Sequence, residues 1–378
     1  MTTYLFPGQG SQSKGMGQTA FDDYPDLVAQ ADEILGYSIK KLCLEDPDNQ
    51  LNKTQYTQPA LYVANALLYL QHLQRGGTAP DFLAGHSLGE YNALQAAGVM
   101  SFADGLSLVK KRGELMSKAV GGAMAAIVRV GEVDVERCLT ENNLIDIDIA
   151  NYNSPTQTVL SGLEKDLEDA QPIFEKAGAM FIPLNTSGAF HSRYMENART
   201  EFAEFLNQFK FSVPGIPVVS NVSAQPHDPE NIRQALADQI THSVRWTQSI
   251  RYLLGQRETD FVEIGGGDIL TKMVKAIQSG EESPRPRRRR NRVTPGTTQN
   301  RRTESDATSQ EILSPQRTVE EWNSRAPVGT RVHVTGYDEL FVTRSIAKLL
   351  FGIRAVVYME GYKGYFSLTE VTPEVTNV

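Results

Sequence analysis

Apolar residues recur with two different periods along residues 1–280, and this pattern predicts an α/β fold. Short apolar runs such as Thr3–Phe6 and Phe82–Ala84 are typical of buried strands. Between such runs, apolar residues stand at helical spacing in Gln58–Leu73, Leu88–Val99 and Phe102–Val120. Strands that alternate with helices in this way predict a large domain built on a parallel sheet, with helices packed on its faces.

A different pattern interrupts this domain between residues 122 and 185. The order there is strand, helix, strand, strand, helix, strand, in the segments Met124–Val130, Val133–Asn142, Ile145–Ile149, Thr158–Ser161, Glu164–Ala177 and Met180–Pro183. This is the order of a ferredoxin-like unit. We therefore predict a large α/β domain formed by residues 1–121 and 186–280, with a ferredoxin-like α+β subdomain at 122–185 inserted into it. One uninterrupted α/β domain is the simpler alternative.

The composition changes after Gly280. Residues 281–318 are rich in Arg, Pro, Ser, Thr and Gln and have few apolar side chains, and their first 22 residues hold eight Arg and two Glu. Such a segment cannot offset its ordering entropy by burial, so we predict a disordered linker. Short β-rich runs broken by Gly-Tyr turns then predict a small β-barrel-like module at residues 319–378.

Composition and charge narrow the class of protein. The 378 residues carry a net charge of −8, which argues against nucleic acid as a partner, and no aromatic residues for base stacking interleave with the Arg-rich run. Two cysteines, Cys43 and Cys138, form neither a disulfide framework nor part of a metal-binding pattern. A signal peptide and an apolar run of about 20 residues for a membrane span are both lacking. We expect a cytoplasmic protein without a membrane segment or a bound metal.

Residues 85–89 read GHSLG and match the G-x-S-x-G pattern of a nucleophile elbow. The motif stands between a predicted strand and a predicted helix, as the elbow requires. Its glycines permit a sharp turn that exposes Ser87 Oγ, and the helix N-terminus favours developing negative charge. A Gly-rich turn with an incidental serine is the alternative interpretation.

A serine nucleophile requires a base, and the chain has six histidines. His72 lies within a predicted helix and His333 in the C-terminal module, so neither is a good candidate. His191 follows an apolar strand and precedes a helix, a place from which a side chain can point into a cleft. We favour His191 over His242, which stays an alternative. The Ser…Asp…His order of an esterase triad is not present.

Five motifs, in the same order, resemble the malonyl-coenzyme A:acyl carrier protein transacylase family. They are FPGQGSQ at residues 6–12, GHSLGE at 85–90, KRG at 111–113, AFH at 189–191 and VRW at 244–246. The resemblance covers about residues 1–278. The segments beyond resemble, more weakly, the appended part of discrete, trans-acting acyltransferases of polyketide synthases. Gly10 and Gly15 also have P-loop spacing, but Met16 stands where a P-loop needs Lys.

The resemblance implies a role for each matching residue. These are Ser87 as nucleophile, His191 as base, the backbone N–H groups of Gln9 and Leu88 as oxyanion hole, Arg112, Phe190 and His86 as substrate-binding residues, and the backbone carbonyl of Gln239 as the group that orients His191. A guanidinium fits a substrate carboxylate as a planar fork, although an isolated Arg is more often a solvated surface residue. The bulky Phe190 implies a preference for malonyl over methylmalonyl. This chain departs from the family at His242-Ser243, where an Asn before Pro is usual.

The fold and activity that follow from the resemblance are an α/β-hydrolase-like domain and a ping-pong acyl transfer. Malonyl-CoA is the implied donor, the phosphopantetheine thiol of an acyl carrier protein is the acceptor, and no bound cofactor is needed. The tail favours polyketide over fatty acid synthesis, and a monomer whose C-terminal module binds polyketide synthase modules is expected. The alternatives are an acyl hydrolase of the same fold, a fatty-acid-synthesis transacylase, and a docking protein with a vestigial site.

Overall fold

The structure is a computed structural model that describes residues 1–280, 315–334, 340–343, 346–350, 354–359, 365–368 and 371–373. The chain divides into two units, Met1–Arg287 and Arg288–Val378. No helix in these described ranges is long and apolar enough to cross a membrane. The predicted linker at 281–318 lies outside the described residues as far as residue 314, and a helix begins at Pro315.

The first unit contains eight strands and eleven α-helices among its described residues. The strands are β1 (Thr2–Phe6), β2 (Phe82–Gly85), β3 (Gly122–Val128), β4 (Asp148–Ser154), β5 (Gln157–Leu163), β6 (Met180–Pro183), β7 (Val218–Val219) and β8 (Asp260–Glu263). The helices are α1 (Pro25–Leu35), α2 (Ile39–Glu45), α3 (Thr54–Gln74), α4 (Gly89–Ala96), α5 (Phe102–Ser117), α6 (Glu132–Glu141), α7 (Glu164–Lys176), α8 (Glu196–Leu206), α9 (Ile232–Asp238), α10 (Trp246–Gly255) and α11 (Ile269–Ser279).

A parallel four-stranded sheet forms the centre of the large domain. Its strand order is β7-β2-β1-β8, and every neighbouring pair is parallel. Alternate residues of β1 enter two different clusters, since Tyr4 and Phe6 pack on the side of α3, whereas Leu5 packs with Trp246 of α10. A sheet buried on both faces explains why its strands read as continuous apolar runs. The predicted α/β fold with a parallel sheet is confirmed.

The inserted segment forms a second, antiparallel sheet with strand order β4-β5-β3-β6. One face, which includes Ile127 and Leu160, packs against Phe174 of α7. Met124 and Ala126 on the other face join the core of the large domain. The sheet order and the two helices on one face are those of a ferredoxin-like unit.

The strand β4 differs from its predicted position. It spans Asp148–Ser154 rather than Ile145–Ile149, and Ile145 is exposed. The strand pairs with β5 from Asp148, opposite Ser161, to Ser154, opposite Gln157. A long-range pairing is added, because Tyr152 donates its backbone N–H to the carbonyl of Val244 at 2.9 Å and Val244 donates to Ala150 at 2.8 Å. The predicted run was apolar enough for a strand, but the partner backbone lies beside the later residues.

The second unit contains one helix and six short strands in its described residues. They are α12 (Pro315–Arg325), β9 (Arg331–Val334), β10 (Leu340–Val342), β11 (Lys348–Leu350), β12 (Arg354–Tyr358), β13 (Tyr365–Ser367) and β14 (Val371–Pro373). The strands pair as two antiparallel three-stranded sheets, β10-β9-β14 and β11-β12-β13. Trp322 and Val319 of α12 pack against a core that includes Val332 and Val357. The region is β-rich as predicted, whereas its helix was not predicted.

Candidate active site

The turn from β2 into α4 holds Ser87 in a strained backbone conformation, with φ at +51°. Glycine is required on both sides of it. A Cβ on Gly85 would lie 1.9 Å from the carbonyl carbon of Gly89, and a Cβ on Gly89 would lie 2.0 Å from the carbonyl oxygen of Phe6. The two glycines therefore let strand, turn and helix approach closely enough to form a nucleophile elbow.

His191 reaches the serine from the loop between β6 and α8. Its Nε2 atom lies 2.7 Å from Ser87 Oγ, and its Nδ1 atom lies 2.8 Å from the Gln239 carbonyl oxygen and 3.2 Å from that of His242. A carbonyl can only accept a hydrogen bond, so Nδ1 carries the proton and Nε2 presents its lone pair to the serine hydroxyl. The imidazole is thus oriented as a base without a carboxylate partner.

The environment of His191 keeps this imidazole neutral. Burial, followed by the positive charge of Arg112, lowers the pKa of His191 to about 3. Only 5% of the residue is exposed. The ring therefore presents an unprotonated Nε2 to Ser87 throughout the pH range in which an unperturbed histidine would already be charged.

Arg112 of α5 lies in the same buried cleft. Its Nη2 atom donates to Ser87 Oγ at 3.1 Å and to the side-chain oxygen of Gln239 at 3.0 Å, while Nη1 donates to the side-chain oxygen of Gln58 at 2.8 Å. The guanidinium also stands 5.6 Å from the ring centre of Tyr91. Arg112 is 1% exposed, and burial lowers its pKa. It is therefore a cation fixed beside the nucleophile, not a surface arginine.

The oxyanion-hole candidates Gln9 and Leu88 belong to two segments that touch. His86 donates its backbone N–H to the Phe6 carbonyl at 2.9 Å. A Cβ on Gly8 would lie 2.2 Å from the His86 carbonyl oxygen and 3.5 Å from the backbone nitrogen of Leu88. The loop that carries Gln9 thus packs directly on the elbow.

Phe190 and His86 occupy different surroundings. Phe190 is 5% exposed and belongs to the main hydrophobic core, directly before the base. The His86 Nε2 atom pairs with the side-chain oxygen of Asn153 on β4 at 2.9 Å, and its ring centre lies 5.5 Å from that of Trp246. Burial lowers the pKa of His86. Its side chain therefore faces the inserted subdomain, and its part in substrate binding stays a prediction.

Several residues around the serine were not found from the sequence. Gln58 and the side chain of Gln239 bind the guanidinium, and Asn221 binds the elbow, since its side-chain oxygen accepts the Ser87 N–H at 2.7 Å and its amide donates to the Gly85 carbonyl at 2.7 Å. Glu90 is buried among these residues. Its place in GHSLGE and the role expected for the Gln239 backbone carbonyl were the sequence signals for this group.

The arrangement is suited to attack on an acyl group that carries a carboxylate. It offers a serine hydroxyl, a neutral imidazole to accept its proton and a guanidinium to bind an anion. Within the described part of the chain, no group of three or more His, Cys, Asp or Glu side chains could hold a metal ion. Cys43 and Cys138 are buried free thiols.

Comparison with known proteins points to one family. The model of the acyl transferase domain matches residues 3–316. The chain is 55% identical over 285 residues to the polyketide biosynthesis malonyl CoA-acyl carrier protein transacylase BaeC of Bacillus velezensis, and the aligned region covers 75% of this chain and 99% of the relative. It is 39% identical over 283 residues to the malonyl CoA-acyl carrier protein transacylase of Escherichia coli, and the aligned region covers 72% of this chain and 92% of the relative.

Solved structures give the same result. The malonyl CoA-acyl carrier protein transacylase of Burkholderia pseudomallei matches with a TM-score of 0.72 at 50% identity, over 74% of this chain and 99% of that structure. A malonyl-transacylase in complex with its type II polyketide synthase acyl-carrier protein matches with a TM-score of 0.70 at 36% identity, over 74% of this chain and 93% of the other. The similarity in both cases spans about three quarters of the chain.

Proposed function

This chain belongs to the acyl transferase domain family, and from that membership and the site geometry we propose that it transfers a malonyl group from malonyl-CoA to an acyl carrier protein. The family match and the named relatives support this activity. The acceptor is the phosphopantetheine thiol of the carrier protein. The chain is an acyltransferase, and Ser87 carries the malonyl group between donor and acceptor.

The first half of the reaction forms a malonyl-serine ester. His191 Nε2 takes the proton of Ser87 as Oγ attacks the thioester carbonyl, and the oxyanion that develops receives hydrogen bonds from the backbone N–H groups of Gln9 and Leu88. Arg112 binds the free carboxylate of the malonyl group. When the tetrahedral intermediate collapses, the C–S bond breaks and coenzyme A leaves as a thiol that takes the proton from His191.

The second half reverses these steps with a new thiol. The phosphopantetheine thiol gives its proton to His191 and attacks the ester carbonyl, and Ser87 leaves as the hydroxyl after His191 returns the proton. The proton and the acyl group are both conserved over the cycle, so no bound cofactor takes part. Water has to be kept from the ester, since hydrolysis would release malonate.

One observation carries this proposal. Ser87 Oγ lies 2.7 Å from the base and 3.1 Å from the guanidinium, so nucleophile, base and carboxylate-binding group meet at one atom. An acyl hydrolase that clears varied acyl groups would have no use for a buried arginine at that position. The geometry therefore favours a transferase for acids such as malonate.

We extend the proposal to polyketide biosynthesis and to malonyl preference. The relative of 55% identity is named as a polyketide biosynthesis enzyme. Phe190 is buried directly before His191. We expect it to restrict the space available to an α-methyl group, a discrimination of about 1–3 kcal/mol against methylmalonyl. The enzyme then acts in trans, as a monomer in the cytoplasm, on carrier proteins of a polyketide synthase.

We also propose that residues 319–378 bind a polyketide synthase partner. The described chemistry lies entirely within residues 1–280, so the C-terminal unit is free for another task. Truncation after Gly280 should leave the rate of malonyl-serine formation within about two-fold. Transfer to a carrier protein, measured at low salt with the same truncated protein, reports whether the Arg-rich segment after Gly280 attracts a negatively charged carrier protein. Equal transfer with and without residues 281–378 would exclude that attraction.

The nucleophile is tested with radiolabelled malonyl-CoA. Wild-type protein should become labelled and pass the label to a carrier protein, whereas Ser87→Ala should not become labelled. Ser101→Ala is the control, because Ser101 caps α5 and is exposed, remote from the reaction. Labelling of Ser87→Ala at the normal rate would overturn the assignment. Release of free malonate in place of malonyl-carrier product would identify a hydrolase.

A further inference from the structure

Glu90 is a buried carboxylate that the proposed reaction does not use. It lies in the first turn of α4, three residues after the nucleophile, and its side chain is 1% exposed. His227 Nε2 lies 2.6 Å from Glu90 Oε1, and the backbone N–H of Asn221 donates to the same oxygen at 3.2 Å. The His227 side chain is also 1% exposed. Burying a carboxylate costs desolvation free energy, so its retention here calls for a structural explanation.

The other oxygen of Glu90 binds Gln239. The Gln239 Nε2 atom donates to Glu90 Oε2 and to the Ser87 carbonyl at 2.9 Å. A backbone carbonyl is an acceptor only, as is a carboxylate oxygen that carries no proton, so the two select the nitrogen of the amide and exclude its oxygen. The amide oxygen of Gln239 must then face the opposite way.

The amide oxygen of Gln239 faces the guanidinium of Arg112, which is the proposed clamp for the substrate carboxylate. Gln239 Oε1 accepts from Arg112 Nη2 at 3.0 Å, the same nitrogen that reaches Ser87 Oγ. A flipped amide would place NH₂ against the guanidinium, two donors facing each other with no acceptor between them. The orientation of one amide thus decides whether Arg112 Nη2 finds an acceptor in Gln239, in addition to the Gln58 acceptor of Nη1.

We propose that Glu90, anchored by His227, is a positioning residue that sets the Gln239 amide and through it the carboxylate specificity of Arg112. This inference rests on the proposed function. The backbone carbonyl of Gln239, which binds His191, does not depend on the orientation of the side-chain amide. A change at Glu90 should therefore impair the arginine more than the base.

The test compares malonyl and acetyl transfer in Glu90→Gln. An amide at position 90 can satisfy either orientation of Gln239, so only the Ser87 carbonyl still selects its nitrogen and the selection is weakened. We expect kcat/KM for malonyl-CoA to fall roughly 10- to 100-fold, mainly through KM, the effect of losing one hydrogen bond to a charged group. Acetyl transfer should fall much less, so the malonyl-to-acetyl ratio drops. An unchanged ratio would overturn the proposal.

A matched control separates positioning from stability. Asn92→Leu removes an equally buried polar side chain from the same helix, where Asn92 binds the Tyr62 carbonyl and Asn65. It should lower the melting temperature and leave the ratio as it is in wild type.

Gln239→Met keeps the test decisive should Glu90→Gln not fold. Methionine retains the backbone carbonyl for His191 and removes the side-chain acceptor, so the same drop in the malonyl-to-acetyl ratio is expected. A ratio equal to that of wild type in this variant contradicts the proposal. The wild-type control distinguishes the two levels of inference, because a wild type that forms no malonyl-serine disproves the function itself.

Discussion

The elbow at residues 85–89 and the proposed carboxylate clamp, Arg112 with Gln58 and Gln239, meet at Ser87 Oγ but are built in opposite ways. The elbow consists of five consecutive residues, and its close contacts involve backbone atoms of β1, β2 and α4. The clamp joins Arg112 to Gln58, 54 residues away, and to Gln239, 127 residues away. The elbow is therefore fixed by local geometry and strand packing, whereas the clamp exists only when three helical regions converge.

This difference predicts different failures. Damage to the elbow should remove chemistry on every acyl substrate, because the nucleophile itself is misplaced. Damage to the clamp should act mainly on acyl groups that carry a carboxylate, because the serine and its base stay in place. The four predictions below test this contrast, from the largest expected effect to the smallest.

The largest effect is expected for Gly89→Ala. The added Cβ would lie 2.0 Å from the Phe6 carbonyl oxygen, a backbone atom in the central strand that cannot move aside. We expect the free energy of unfolding to fall by about 3 kcal/mol and serine labelling to be lost with malonyl-CoA and acetyl-CoA alike. Thermal unfolding and labelling measure both effects.

Gly255→Ala is the matched control for this experiment. Gly255 ends α10, and apart from its chain neighbours and the nearby backbone of its own helix no heavy atom lies within 4 Å of the position its Cβ would take. Alanine there should be neutral or stabilise the protein by up to about 1 kcal/mol. A Gly89→Ala protein as stable and active as this control would show that the elbow tolerates a wider turn.

Arg112→Ala should separate the two regions most clearly. Loss of the guanidinium removes charge-assisted hydrogen bonds to the malonyl carboxylate, and about 3 kcal/mol of lost binding corresponds to a fall of more than 100-fold in malonyl transfer. Acetyl transfer should fall far less. Steady-state kinetics with both donors give the answer, with Lys111→Ala, the neighbouring residue on α5, as control. Equal losses would disprove the clamp.

A smaller effect of the same kind is expected for Gln58→Leu. Gln58 is 1% exposed and accepts from Arg112 Nη1 at 2.8 Å, so leucine leaves one guanidinium donor unpaired while preserving the packing. We expect KM for malonyl-CoA to rise roughly 10-fold, with kcat for acetyl-CoA nearly unchanged. A change in kcat for both donors would indicate that Gln58 acts on the serine and not on the clamp.

The pH dependence should show the smallest effect, and it links the two regions. His191, with a pKa of about 3, stays neutral as the pH falls, so kcat/KM should hold its plateau well below pH 6.5. Arg112 is the second cause of this low pKa after burial, so Arg112→Ala makes protonation easier and raises the pKa. As the pH falls, kcat/KM for acetyl transfer by Arg112→Ala should then begin to decline at a higher pH than it does in wild type. Coincident profiles would exclude the coupling.

Elements that depend on local sequence periodicity were predicted from the sequence, whereas elements that depend on contacts between distant residues were not. The ends of helices α3 and α5 were predicted to within a few residues, because apolar residues at helical spacing form one buried face of a helix. The strand β4 was misplaced because its position follows from its backbone partners, β5 and residue 244, and an apolar run does not reveal them. The helix α12 has a polar sequence that resembles its linker, and its few apolar contacts, such as Trp322, gave too weak a period.

By itself, the sequence predicted the elbow, the nucleophile Ser87 and the base His191, and it determined the family, because each depends on short runs of residues with restricted backbone or chemistry. Tertiary structure alone decided that Arg112 is buried beside Ser87, that Gln58 and Gln239 bind it, and that Glu90 is sequestered with His227. The physical reason is that a hydrogen bond requires a distance near 3 Å, whereas sequence separation places no limit on it. Side chains 54, 127 and 137 positions apart become partners only through the packing of the whole domain.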